Sequence, residues 1–206
     1  MKRGYGSGKT GRPTALSVSP SAERLSKVVK AVPADGTFAI EIGDNIGAGK
    51  NGRAARRKVR MDITWVTDRI AVGGGIWNPE NMAALARAGI THIIDMQIEF
   101  DDTPLARPHG ILVCWNPIDD DFEPKAAEVF VRGVEFGLAA LKENEAKLFV
   151  HCAAGVHRAP MMTLALLGVM GWTLESAMDL IERRRPAADF AEVYVQSVED
   201  FLQGRS

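Results

Sequence analysis

The sequence predicts an α/β fold: a central, mostly parallel sheet flanked by helices on both faces, behind a basic N-terminal extension. Three observations carry this. From about Ile63, short apolar runs rich in β-branched residues alternate with longer stretches of helical periodicity. Glycine and proline mark the joins between them. Charge divides sharply: residues 1–60 hold thirteen Lys/Arg against four Asp/Glu, a net of +9, and residues 61–206 hold twelve against twenty-two, a net of −10.

The extension, residues 1–60, reads in three parts. Residues 1–20 are rich in Gly, Ser, Lys and Pro and are expected to be disordered. Ser19-Pro20 fits the start of a short helix with Leu25, Val28, Val29 and Val32 on one face, and residues 36–42 alternate like a strand. Residues 43–60 form a basic, glycine-rich linker. Such an arm suits an anionic partner such as nucleic acid, lipid or an acidic protein. It equally suits a solvated arm leaning on its own acidic body, because no aromatic residues interleave its cations. GSGKT (6–10) and GAGKN (47–51) imitate a nucleotide loop, but Arg3 and Asp44 stand where the first glycine belongs.

The body, residues 61–206, reads as one domain. ITWVTDRIAVGG is a strand or hairpin ending in glycines. Asn78 is an N-cap with Pro79 at the first helical position, Met82 and Leu85 face inward, and Gly89 ends that helix. ITHIIDM, ILVCW and KLFVHC are expected as buried strands over 91–96, 111–115 and 147–152. A long helix spans 125–142, with Val129, Phe130, Val134, Phe136, Leu138 and Leu141 at its apolar positions. Helices follow over about 157–170, 173–185 and 189–203, punctuated by Gly171 and Pro186.

Composition narrows the class. A hydrophobic fraction of 46% supports one core of ordinary size. No run of about 18 apolar residues occurs, so no transmembrane segment is expected. The opening stretch lacks the apolar run of a secretory leader. Two cysteines make no disulfide framework, which points to a reducing, cytoplasmic setting. The histidines and cysteines show no ligand spacing, so neither a metal nor another cofactor is expected.

The chemistry concentrates in VHCAAGVHRAP, residues 150–160, where a buried strand turns into a helix. A loop of Ala153, Ala154, Gly155, Val156 and His157 presents successive backbone amides, which form a nest for an anion at a helix N-terminus. Gly155 supplies the backbone freedom, and the guanidinium of Arg158 matches phosphate oxygens. The same field stabilises a thiolate on Cys152. Attack on a phosphate ester leaves an alkoxide or phenoxide that needs a proton. Asp119, Asp120 and Asp121 follow another strand and fall at the same sheet edge.

His151 to Arg158 matches HCxxGxxR and so resembles the cysteine-dependent protein phosphatases. From Ile63 to Leu202 the chain is similar to their dual-specificity branch, with WNPIDDDFEP in the place of its acid loop. The resemblance implies phosphate monoester hydrolysis through a phosphocysteine on Cys152. It implies Asp120 as the acid, since the family's acid lies about thirty residues before the cysteine and Asp120 lies 32 before; Asp119 and Asp121 compete. His151 is expected to orient the loop or to be plainly structural. Ala159 stands where the family most often has Ser or Thr, and Arg-Ala-Pro resembles the phosphatases of regenerating liver and the plant glucan phosphatases. The missing hydroxyl implies slow breakdown of the phosphocysteine.

The expected substrate is a phosphorylated protein or a small phosphate ester. The absence of lysine from the loop disfavours inositol lipids, and the positions of Tyr5 and Tyr194 favour a shallow pocket. A low-turnover phosphate-binding adaptor, or a sulfur-transfer or arsenate-reducing enzyme, is the alternative. His157 is read as a pocket-rim or solvent-facing residue. Cys114 is read as core, with a redox partnership with Cys152 left open. Trp77 and Phe122 are read as apolar packing, with a place at the pocket border as the alternative, and ERRR (182–185) as a solvated helix end rather than a substrate clamp.

Overall fold

The computed structural model describes residues 61–205; the expectations for residues 1–60 lie outside them. Strands β1 (Ile63–Trp65) and β2 (Ile70–Gly73) form the expected hairpin. Helix α1 (Pro79–Arg87) starts at Asn78, whose side chain accepts the Asn81 N–H at 2.8 Å. Gly89, with φ of 84°, lets the chain leave that helix in the left-handed region. Strand β3 (His92–Gln97), the short helix α2 (Thr103–Ala106) and strand β4 (Leu112–Ile118) follow. Helix α3 (Ala127–Lys142), strand β5 (Leu148–His151) and helices α4 (Arg158–Val169), α5 (Leu174–Arg184) and α6 (Glu192–Gln203) complete the domain.

The five strands lie in the order β1-β2-β5-β3-β4, and only the β1–β2 pair is antiparallel. Alternate side chains of the inner strands serve two cores. Ile70, Val72, Ile94, Leu148 and Val150 join one with Phe130, Val134, Met162, Leu166, Ile181 and Val198 from α3 to α6. Ala71, Ile93 and Phe149 join the other with Met82 and Leu85 of α1 and Ala106 of α2. Two-residue periodicity thus places helices on both faces. Helix α3 lies close to α4 because Gly133 has no side chain: a Cβ there would stand 2.5 Å from the Met162 sulfur.

Strand β4 departs from expectation. It is one edge of the sheet and is half-exposed, with Leu112 57% and Trp115 43% accessible. It also runs on through Pro117 to Ile118, because an edge strand tolerates a residue without an N–H. The acid loop therefore begins at Asp119 rather than Asn116. The register also corrects one expectation about Cys114. Cys114 pairs with Ile94, and Ile94 with Val150, so two strand spacings, about 10 Å, separate the Cys114 position from the strand carrying Cys152. That exceeds disulfide reach. Cys114 packs against the larger core, and burial pushes its thiol pKa up.

Candidate active site

β5 ends at His151, and the chain turns through residues 152–157 into α4. Cys152 is buried at 1% exposure, and the Gly155 N–H points at its sulfur from 3.2 Å. Gly155 has φ of 66°, and a Cβ on it would lie 2.5 Å from the Gly73 carbonyl. The loop thus requires glycine twice over, by backbone angle and by crowding.

An arginine outside the motif clamps this loop from behind. Arg185 Nε donates to the Gly155 carbonyl at 2.7 Å, and Nη2 donates to the Ala154 carbonyl at 3.1 Å. Its fork also holds Asp62 at 2.8 and 2.7 Å. The solvated reading therefore fails for Arg185, which is 5% exposed, though Arg183 pairs with Asp179 on the surface. Pro186 marks the end of α5 in the sequence, but the inward course of Arg185 is set by distant partners, Asp62 and the carbonyls of Ala154 and Gly155.

Arg158 opens α4 and is 3% exposed. Its Nη1 and Nη2 donate to Glu99 at 3.0 and 2.8 Å, and Nη1 also donates to the Ile118 carbonyl at 3.0 Å. Glu99, on the loop after β3, was not read from the sequence as a site residue. Its pairing with Arg158 draws its own carboxyl below the usual range and supports the charged guanidinium. Nε has no hydrogen-bond partner and lies 3.7 Å from Asp120 Oδ2. The expected fork is thus committed to the protein at its end, and its Nε edge is the part left for an anion.

Of the three aspartates, Asp120 alone makes its contacts with residues of the site. Tyr194 donates its hydroxyl to Asp120 Oδ1 at 3.1 Å, and His157 Nδ1 lies 3.1 Å from Oδ2. Asp119 accepts the Asp120 N–H, and Asp121 pairs with Lys125, which draws its carboxyl pKa down. Tyr194 is buried on α6 and also accepts the Phe122 N–H at 3.0 Å. Burial, with Asp120 alongside, pushes its phenol up to about 12, so the hydroxyl keeps its proton. In the sequence Tyr194 bears only on pocket depth; its hold on Asp120 comes from the fold.

His157 does not face solvent: its ring sits between Asp120 and Asp189, with Phe122 edge-on at 5.0 Å. Trp77 and Phe122 are not buried packing residues but are 60% and 51% exposed. Trp77 follows the glycines of β2, where the Gly75 N–H donates to the Ala153 carbonyl at 3.0 Å. Phe122 has φ of 57°, in the left-handed region disfavoured for bulky residues, and Tyr194 holds it by its N–H and by ring stacking at 5.8 Å.

His151 lies fully buried below the loop's start, with Nε2 2.9 Å from Asp102 and 3.6 Å from Asp95. These contacts are close in distance but not aligned as hydrogen bonds. Asp95 accepts the Gln97 and Asp102 N–H groups. Burial raises its carboxyl to about 6, against the opposing pull of His151. Ligand atoms of Asp95, Asp102 and His151 fall within 4.8 Å of one another, a grouping that sequence spacing hid. Among the described residues no helix is long and apolar enough to cross a membrane.

Residues 77–201 match the family described as dual specificity phosphatase, catalytic domain. The chain belongs to that family. This phosphatase domain is 30% identical to laforin of Mus musculus over 139 residues, 56% of this chain and 41% of laforin. It is 25% identical to phosphoglucan phosphatase DSP4 of Castanea sativa over 164 residues, 72% of this chain and 43% of that protein. The first curated relatives are matched over only 25% to 43% of their own lengths. Among solved structures, Tk-PTP in its active form shares the fold with a TM-score of 0.61 at 18% identity, over 69% of this chain and 97% of that one. Human DUSP28 does so with a TM-score of 0.58 at 19% identity, over 71% of this chain and 97% of that one.

Proposed function

We propose that residues 61–206 form a phosphatase domain that hydrolyses phosphate monoesters through a phosphocysteine on Cys152. The Cys152 sulfur attacks phosphorus as the bond to the leaving oxygen breaks, and Asp120 gives that oxygen a proton. Asp120 then takes a proton from water as the water oxygen bonds phosphorus and the sulfur departs. The amides of residues 153–157 and the Nε edge of Arg158 bind the phosphoryl oxygens. One observation carries the reading. At a single end of the sheet, the Gly155 N–H addresses the sulfur of Cys152 while Asp120 stands beside Arg158. Fixed positive charge already serves the phosphate, so the reaction needs no metal. A free thiol nucleophile suits a reducing compartment such as the cytoplasm.

The test is turnover of aryl phosphates and phosphopeptides, with the phosphocysteine trapped by acid quench and seen by mass spectrometry. Cys152→Ser should abolish both turnover and adduct, and a chelator should change neither. Turnover that survives Cys152→Ser would end the proposal.

A second reading concerns the substrate: a phosphate carried on a glycan. Exposed Trp77, Phe100 and Phe122 stand beside residues of the site, and flat apolar faces suit sugar rings. One relative is named as a phosphoglucan phosphatase. Release of phosphate from phosphorylated amylopectin, compared with phosphopeptides at equal enzyme, separates this from a phosphoprotein substrate.

A further inference from the structure

We propose that His157 positions Asp120 and shares its proton, with Asp189 anchoring the imidazole; this rests on the phosphatase reading above. His157 is the last loop residue before Arg158, and its carbonyl accepts the Met161 N–H in the first turn of α4 at 2.9 Å. Its Nδ1 lies 3.1 Å from Asp120 Oδ2 and its Nε2 lies 3.2 Å from Asp189 Oδ2. Asp189 is itself tied to the loop, since its N–H donates to the Val156 carbonyl at 2.9 Å. Asp120 is held on its other oxygen by the Tyr194 hydroxyl. The imidazole therefore cannot swing away without breaking two contacts, and Phe122 covers one edge of it.

The groups around the ring fix what protons it can carry. They are Asp120 from the acid loop, Asp189 from the segment before α6, and, one contact further, Arg158 and Tyr194. An imidazole between two carboxylate groups matches them in two ways with the same number of protons. In one, Asp120 carries the proton and Nδ1 accepts from it, while Nε2–H donates to Asp189. In the other, the proton sits on Nδ1 and both carboxylates accept. One proton is thus held in common by Oδ2 and Nδ1.

The reaction draws on that proton and returns it. When sulfur bonds phosphorus and the leaving oxygen departs, the oxygen takes the proton from Asp120. A bare Nδ1 lone pair then faces a carboxylate, an unfavourable arrangement that ends when attacking water gives up its proton to the pair. His157 itself touches neither phosphorus nor sulfur, so it is a positioning residue.

The experiment measures kcat/KM against pH for aryl phosphates of graded leaving-group acidity, in the full chain and in His157→Gly, His157→Gln and Asp189→Asn. For a poor leaving group such as phenyl phosphate, His157→Gly should lose about tenfold or more, within the range of general acid–base effects, with Asp189→Asn losing less. For 4-nitrophenyl phosphate, whose leaving group scarcely needs a proton, each variant should lose less than it does on phenyl phosphate, and Asp189→Asn, which lies outside the phosphate loop, should change phosphorylation of the cysteine less than about threefold. The pH profile on the poor leaving group should shift in all three variants. Equal losses on both substrates, with an unmoved pH profile, overturn the inference while Cys152-dependent turnover in the parent leaves the phosphatase reading standing. Absence of that turnover overturns both. A measurement that needs no activity is imidazole 15N NMR of the full chain. The His157 Nδ1 resonance should respond to Asp120→Asn and the Nε2 resonance to Asp189→Asn; resonances indifferent to both substitutions also overturn it.

Discussion

The two loops that meet at this site are built on opposite plans. The cysteine loop is buried at Cys152 and Gly155 and held through its backbone: Arg185 takes two of its carbonyls, Gly75 donates to a third, and Gly155 presses against β2. The acid loop leaves an edge strand and is open to solvent at Asp119, Asp121 and Phe122. Side chains of another element hold it: Tyr194 takes the Phe122 N–H, and Ser197 takes the Lys125 N–H at 3.0 Å, both from α6. The difference follows the work proposed for each. Binding a phosphoryl group requires fixed amides in a dry setting. Proton exchange requires a carboxyl that water can reach. Changes in the first loop should therefore cost stability and all substrates together, and changes in the second should cost only the substrates that need a proton.

The largest break should come from Gly155→Ala. A Cβ there stands 2.4 Å from Arg185 Nη2 and 2.5 Å from the Gly73 backbone, in a left-handed conformation. The left-handed backbone alone costs about 1–2 kcal/mol for a residue with a Cβ. Urea melts should show at least that loss, and turnover should vanish on every substrate. A Gly155→Ala protein with parental stability would contradict the crowding described.

Asp120→Ala probes the other loop. It should lower kcat/KM about 100-fold on a poor leaving group, with stability within about 1 kcal/mol of the parent at this part-exposed position. Arg185→Met should do the reverse. Leaving the Ala154 and Gly155 carbonyls unpaired costs about 2–3 kcal/mol, read by denaturation, and the activity lost should be the same on good and poor leaving groups. If the two variants behaved alike, the contrast between the loops would fail.

A pH series sharpens the buried side. Asp95 titrates at about 6 in the fold against an ordinary 3.8, so between about pH 4 and 6 the folded chain keeps a proton that the unfolded chain has lost. A carboxyl raised in this way lowers stability as pH rises through that window. Asp95→Asn removes that fall. Relative to the parent, the variant should gain up to about 3 kcal/mol between pH 4 and pH 7 in urea melts, taking 1.36 kcal/mol per pH unit. A constant difference across the range would show that Asp95 does not titrate there.

The smallest effect concerns Ala159, which is buried in the first turn of α4, directly after Arg158. Ala159→Ser restores the hydroxyl most common in the family at that place. It should raise steady-state turnover a few-fold and leave the pre-steady-state burst unchanged. A rise in the burst instead would assign the hydroxyl to the first step.

The elements were legible because each is a local matter. Asn78 caps a helix through its own N-terminal turn, Gly89 frees the chain at its end, and alternating Ile, Val and Leu mark strands whatever lies beside them. The cysteine loop was legible for the same reason: Cys152, Gly155 and Arg158 lie within one short turn of chain. Strand β4 was misjudged because edge and centre differ only in neighbours, which ILVCW does not encode. Trp77 and Phe122 were misjudged for a like reason, since exposure and partners come from chain far away in sequence.

By itself, then, the sequence determined the α/β alternation, the turn that carries Cys152 into a helix N-terminus, and a short set of aspartates at the same edge. Only the tertiary structure decided which aspartate turns inward, that Glu99 occupies the end of the Arg158 fork, that Arg185 and Asp62 brace the loop across 123 positions of chain, and that Tyr194 and Asp189 stand behind Asp120 and His157. The physical reason is range. Backbone angles, caps and periodicity act over a few residues, whereas hydrogen bonds between charged side chains form wherever packing brings them within about 3 Å, and packing belongs to the whole chain.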